Sequence, residues 1–426
     1  MKKIFIKALA WNSSATFLYK IALLMHQITL YSVISHTLYG LQSTLFALIY
    51  TIIALTNFGF EETLLPFFSI FTQSKQQFRQ TWLHFVWHSI TIASLACILY
   101  YTLLYGPGEF LHNIQLYCNK NIILLCSLLF FVESIKKTII AMMQLAFLNK
   151  QIVYASLSML FAYIATVWTI FTITGQLTLY NIFIPMIIFS TLELWYVSYQ
   201  MIQFYNSLAT VTSTIAHIPF NLLFKQRIYN YTNQIIKTLY SPNCMTLFFA
   251  YILGFQQAAT IKFFTNIITL CYTCISKTIG VTTGAALSTM NSMPLPAIQS
   301  FFKEVTYRYF QLLCLLSIIL MIIIGYSSYY SIITNIMAWH ITLFFVISLL
   351  ENISITYEQL FISQHAAKVL AVINSTGLVL LGMSGWLYYS YNFNPIILLS
   401  VGIIIKIISL LSLNIVAYQR WGISIK

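Results

Sequence analysis

The sequence contains no aspartate. Its eight acidic residues are all glutamate, they stand against 21 lysines and arginines, and charged residues make up only 7% of 426 positions. A soluble domain carries roughly 25% charged residues. A chain this poor in charge cannot cover a water-facing surface, so lipid must be the solvent for most of it. No charge-rich or Pro/Gly-rich stretch is long enough to hold a separate soluble domain or a flexible linker. The seven cysteines are scattered, mostly in apolar stretches where they act as small buried residues, and they form no disulfide framework. There is no glycine loop for a phosphate and no Ser/His/Asp set in a supporting context. His84 and His88 have the i, i+4 spacing of metal ligands, but no third ligand is near them in sequence. Cys271-Tyr-Thr-Cys274 has redox spacing inside an apolar run, away from any thioredoxin-like strand–helix pattern. We expect no metal, no cofactor and no enzymatic activity.

What the sequence does have is apolar length. A spanning helix needs about 20 apolar residues. Stretches of that kind fall at 14–35, 40–58, 82–104, 121–146, 152–174, 181–204, 241–257, 261–287, 307–328, 337–362, 369–390 and 395–417. Met1-Lys2-Lys3 could open a signal peptide, but no small-residue cleavage pattern follows, so the first run is read as a retained span. The predicted fold is an all-α integral membrane protein of about 12 transmembrane helices. It divides into an N-terminal lobe over 1–204, a cytoplasmic amphipathic linker over 205–240 and a C-terminal lobe over 241–426. A second amphipathic segment, 59–80, is read in the same way, as a helix on the cytoplasmic leaflet.

The formal charge of +13 does not point to nucleic acid, because of where the cations sit. With both termini in the cytoplasm, fourteen lysines and arginines fall on the inner side and only Lys120 falls in an outer loop. That asymmetry is what the positive-inside rule requires. Tyrosines at the ends of spans 3, 9 and 11 land on the predicted outer face, at headgroup level.

Charges within the spans are the informative residues, since each costs about 2.5–3.5 kcal/mol at mid-helix on insertion scales. Lys20 and Lys262 lie near span ends and either snorkel or line a cavity; Lys277 lies deeper. Glu133, Lys136 and Lys137 fall on one helical turn and read as a structural ion pair. Glu193 and Glu351 have no local partner. They are candidates for coupling transport to H+ or Na+, or else for pairing with Lys20, Lys277 or Lys406. Glu358 follows Glu351 by seven residues on the same helical face.

Leu38-Tyr39-Gly40-Leu41 opens span 2, and Asn57-Phe58-Gly59-Phe60-Glu61-Glu62-Thr63-Leu64-Leu65-Pro66 closes it. This resembles the polysaccharide exporters, or O-antigen flippases, of the multidrug/oligosaccharidyl-lipid/polysaccharide (MOP) exporter superfamily. The motif residues are Tyr39, Gly40, Asn57, Gly59 and Glu61; Asn57 stands where the family pattern has an acid. The run Phe248 to Met290, with Gly254, Lys262 and Gly284, is similar to that family's spans 7 and 8. The resemblance implies two six-helix lobes alternating between inward- and outward-open states in a bacterial inner membrane. It implies a lipid-linked sugar of the undecaprenyl-pyrophosphate type as substrate, held in a cationic cavity by Lys20, Lys262 and Lys277. Membrane lipids and H+ or Na+ are the other partners, and a monomer is expected.

Two other functions compete. A multidrug or cation antiporter of the same superfamily would need a central acid, which span 1 lacks. A membrane-embedded polysaccharide polymerase or ligase would need a sizeable outer loop carrying catalytic groups. The longest such loop, about 105–120, holds only Glu109, His112 and Lys120.

Overall fold

The computed structural model describes residues 2–57, 75–146, 148–208, 220–239, 241–289, 295–329, 334–363, 366–391 and 395–422. Thirteen helices run through them: α1 (Lys2–Val33), α2 (His36–Thr56), α3 (Lys75–Tyr105), α4 (Glu109–Tyr117), α5 (Lys120–Leu145), α6 (Asn149–Thr174), α7 (Leu179–Ser207), α8 (Phe220–Leu239), α9 (Pro242–Thr289), α10 (Leu295–Tyr329), α11 (Asn335–Ser363), α12 (Ala367–Tyr391) and α13 (Pro395–Trp421). Eight contain stretches long and apolar enough to cross a membrane: α2, α3, α6, α7, α9, α10, α11 and α13. The chain is a multi-pass membrane protein. α5 also has the length, but it carries Glu133, Lys136 and Lys137 near its middle.

Helix ends follow local chemistry. Ser35 caps α2 by accepting from the Leu38 N–H, and Asn119 caps α5 by accepting from Ile122. α6 stops at Gly175, whose left-handed φ of 69° ends the helix with a bond back to Phe171. Pro185 lies inside α7, where it removes one backbone donor.

Each of the twelve apolar runs maps onto a helix, but two of them share one. Runs 241–257 and 261–287 both map onto α9, separated by no loop. The break is a kink at Gly254, with φ 78° and ψ 169°. That backbone region is open essentially only to glycine.

The chain divides into two compact units. Unit 1 holds Met1–Arg227 and Asn243–Ala259; unit 2 holds Ile228–Pro242 and Thr260–Lys426. The sequence division at 205–240 differs from this at α9, whose first part packs with unit 1. The reason is a close approach of α2. A Cβ at Gly40 would lie 1.9 Å from the Phe255 carbonyl oxygen. Tyr117 and Phe110 meet Phe255 and Tyr251 edge-on, and Ala259 is buried with Leu30 and Tyr39.

In unit 1, α5 packs on α7, α3 and α2, α7 packs on α6, and α6 packs on α1. In unit 2, α11 packs on α13, α10 and α12. The outward faces are apolar, as lipid requires: Leu315, Ile318, Ile319 and Ile322 of α10 are all exposed. α8, read from sequence as a helix on the cytoplasmic leaflet, also packs on protein. Asn230, Asn233 and Thr238 on this helix are buried, because they meet protein. Asn374 donates to Asn233 at 2.9 Å, and Lys237 pairs with Glu358.

Candidate functional site

The most concentrated polar chemistry in unit 1 lies halfway along its helices. Glu133 sits in α5, about 20 Å along the axis from Lys120 at the helical rise. Lys136 follows one turn later. Its ammonium donates to Glu133 Oε1 at 2.6 Å and, across to α7, to Glu193 Oε2 at 2.9 Å. Glu193 therefore has a partner, but one that sequence spacing could not supply. Ser190, one turn before Glu193, donates to Glu133 Oε1 at 2.5 Å and lies 3.4 Å from the Lys136 ammonium. Ser156 of α6 donates to Glu193 Oε1 at 2.5 Å.

Three helices thus converge on one cluster. Every carboxylate bond in it is accepted from a hydroxyl or the ammonium, the pattern that suits ionised acids. Two acids thus share one lysine. Buried ionisable groups of this kind within apolar helices are costly and make the cluster a candidate site. Lys137 and Lys20 are half-buried and have contacts of their own.

Phenols line the cluster. Tyr19 of α1 feels the charges of Lys136, Glu193 and Glu133; Tyr50 of α2 feels both acids and, with them, Tyr19 and Tyr163. Tyr163 of α6 leads on to His26 of α1. Its hydroxyl is 3.4 Å from His26 Nε2, while the Trp168 indole donates to His26 Nδ1 at 3.2 Å. Indole can only donate. His26 is therefore a neutral ring whose proton is on Nε2, facing Tyr163.

Unit 2 treats its charges differently. Glu351 of α11 pairs with Lys406 of α13, one of the three partners expected from sequence. Glu358, seven residues on, pairs with Lys237 of α8 and accepts from Ser354 at 3.1 Å. Two acids thus meet two cations, and Glu351 also feels the charge of Lys237. Tyr357 donates to Asn414 at 2.9 Å beside them.

The other sequence candidates fall in both units. Lys20 belongs to unit 1, whereas Lys262, buried, and Lys277 belong to unit 2. The side chain of Lys277 lies outside the described residues, as do Gly59 and Glu61 and the side chains of His84, Cys271 and Cys274. Tyr39 and Gly40 are buried in α2 against α9, a packing role for the first half of the motif. Asn57 is the buried C-cap residue of α2, and its side-chain amide has no partner among the described residues. His88 is taken up by Arg227, 3.3 Å from its Nδ1, and no group of three metal-ligating residues occurs among the described residues. Ser156, Ser190, Tyr19, Tyr50 and Tyr163 were not singled out by sequence. The one available signal is that Ser190 and Glu193 share a turn.

No protein-family model matches this sequence, and no curated protein matches it. Solved structures do. An outward-facing multidrug resistance MATE family transporter of the MOP superfamily is 11% identical, covers 98% of this chain and 96% of its own, and superposes with a TM-score of 0.68. The Vibrio cholerae MATE transporter VcmN is 11% identical over 98% of both chains, with a TM-score of 0.65. A MOP superfamily transporter from Pyrococcus furiosus, whose binding pocket of reverse polarity suggests a different function for it, is 13% identical over 98% of this chain and 94% of its own, with a TM-score of 0.64. At such identities the likeness lies in the fold, and the fold of this chain is that of the MATE transporters of the MOP superfamily.

Proposed function

We propose that the chain is a membrane transporter working by alternating access, and that it moves an organic solute in exchange for a monovalent cation. This is the antiporter reading that ranked behind lipid-linked oligosaccharide export on sequence. The sequence objection was the missing acid in span 1. The Glu133–Lys136–Glu193 cluster answers it, since α5 and α7 supply two acids to a site that Tyr19 of α1 adjoins. This cluster is the observation that carries the reading, and the fold likeness to multidrug MATE transporters supports it. The lipid-linked sugar reading keeps Lys20, Lys262 and Lys277 as its candidates, but the fold likeness to multidrug MATE transporters favours the antiporter over it.

The test is transport in proteoliposomes of purified protein. A fluorescent organic cation such as ethidium is loaded, and a pH gradient is imposed. The expected result is gradient-driven efflux that an uncoupler abolishes. Failure with ethidium and a panel of other organic solutes, together with translocation of a fluorescent polyprenyl-pyrophosphate sugar by the same vesicles, would restore the flippase reading.

A further inference from the structure

The pair of acids in unit 1 already holds a cation, and that cation belongs to the chain. An ammonium has three hydrogens, and Lys136 has three oxygen neighbours for them: Glu133 Oε1 at 2.6 Å, Glu193 Oε2 at 2.9 Å and Ser190 Oγ at 3.4 Å. Two carboxylates and a hydroxyl from two helices, closed away from water, also make up the oxygen cage that a desolvated alkali cation requires. The lysine reaches this cage from one turn along its own helix, so its local concentration far exceeds that of any free ion.

The surroundings favour the lysine further. The titratable groups facing the triad are Tyr19 on α1 and Tyr50 on α2, with Tyr163 on α6 beside Tyr19 and His26 beyond Tyr163. The phenols and the neutral His26 ring add no negative charge. A metal ion entering beside the ammonium would meet repulsion at close range in a low dielectric. A proton needs no cage, only one carboxylate oxygen.

We propose that the Lys136 ammonium is a resident counter-ion that occupies the place of an alkali cation between Glu133 and Glu193. The native site then binds neither Na+ nor K+, and it gains such a site when the ammonium is removed. Lys136 becomes the residue that decides which ion the site exchanges, leaving the proton. This inference rests on reading the cluster as the ion site of a transporter. Its test reads binding in detergent, with no transport step, so the two can fail separately.

The experiment compares purified full-length wild type, Lys136→Met and Lys136→Met/Glu193→Gln. Equilibrium binding of radioactive 22Na+ and the thermal midpoint are measured against NaCl, with choline chloride holding ionic strength constant; KCl is run in parallel by thermal midpoint. Wild type should show no saturable response. Lys136→Met should gain one, and the added Glu193→Gln should abolish it. A second variant guards against misfolding: Lys136→Met/Glu133→Gln keeps the net charge of the native triad and should give a weaker response of the same kind. Saturable Na+ or K+ binding by wild type that Glu193→Gln removes would overturn the proposal. So would folded Lys136→Met and Lys136→Met/Glu133→Gln proteins that bind neither ion.

Discussion

Unit 1 and unit 2 both bury charge within apolar helices, and they balance it differently. In unit 2 the ratio is one to one: Glu351 with Lys406 and Glu358 with Lys237. In unit 1, Glu133 and Glu193 share Lys136, and two serines complete the bonding. A matched pair has nothing left over, so it holds helices together and resists change. Under the proposed function, a shared cation leaves one carboxylate for the exchanged ion. On the proposed function, the difference is one between a structural use of buried charge and a working one, although the residue types are the same.

The comparison breaks most visibly if a matched pair is cut. Lys406→Ala strands Glu351 in the interior of unit 2 and should cost about 3–5 kcal/mol. A large fall in the thermal midpoint in detergent would register this, with most of the loss recovered in Lys406→Met/Glu351→Leu. If Lys406→Ala is as stable as wild type, the pair is not structural. Next in size is Gly40→Ala, which forces a Cβ into the Phe255 carbonyl and should cost about 1–3 kcal/mol as overpacking; the same melting measurement reports it. Ser156→Ala sharpens the unit 1 side, since it removes one charge-assisted bond to Glu193, worth about 1.5–3 kcal/mol at most. The expected result is a stability loss within that bound with an altered pH profile of transport. The smallest effect belongs to Arg308→Gln on α10. That residue pairs with Glu304 at the surface, with side chains 76% and 63% exposed, and its loss should change stability by no more than about 0.5 kcal/mol.

The sequence disclosed these features unevenly. The helices were legible because lipid imposes a long apolar run on each one. Glu133 with Lys136 was legible because one helical turn brings them together. Glu193 was visible as a buried acid, but its lysine lies 57 residues away on a neighbouring helix, and no local pattern encodes that meeting. Ser156 and Ser190 were hidden among many serines and threonines of the spans. Most of those, such as Thr191 and Ser198, bond the carbonyl four residues back on their own helix. Gly40 was recognised as a motif, yet its reason, contact with Phe255, spans the whole of unit 1. α8 looked like a membrane-surface helix because half of its face is charged and polar. Only the opposing Asn374 and Glu358 turn that polar face inward.

The central claim is that the shared triad of unit 1 works while the matched pairs of unit 2 hold. Glu193→Gln leaves Glu133 and Lys136 as a matched pair, so the protein should stay folded. Glu351→Gln leaves Lys406 without its acid, so the protein should lose stability. The deciding measurement is gradient-driven solute efflux per folded molecule, for these two variants in otherwise identical proteoliposomes. The prediction is that Glu193→Gln melts close to wild type and has lost transport, while the folded fraction of Glu351→Gln transports at the wild-type rate. Wild-type efflux by Glu193→Gln, or loss of efflux from fully folded Glu351→Gln, would contradict it.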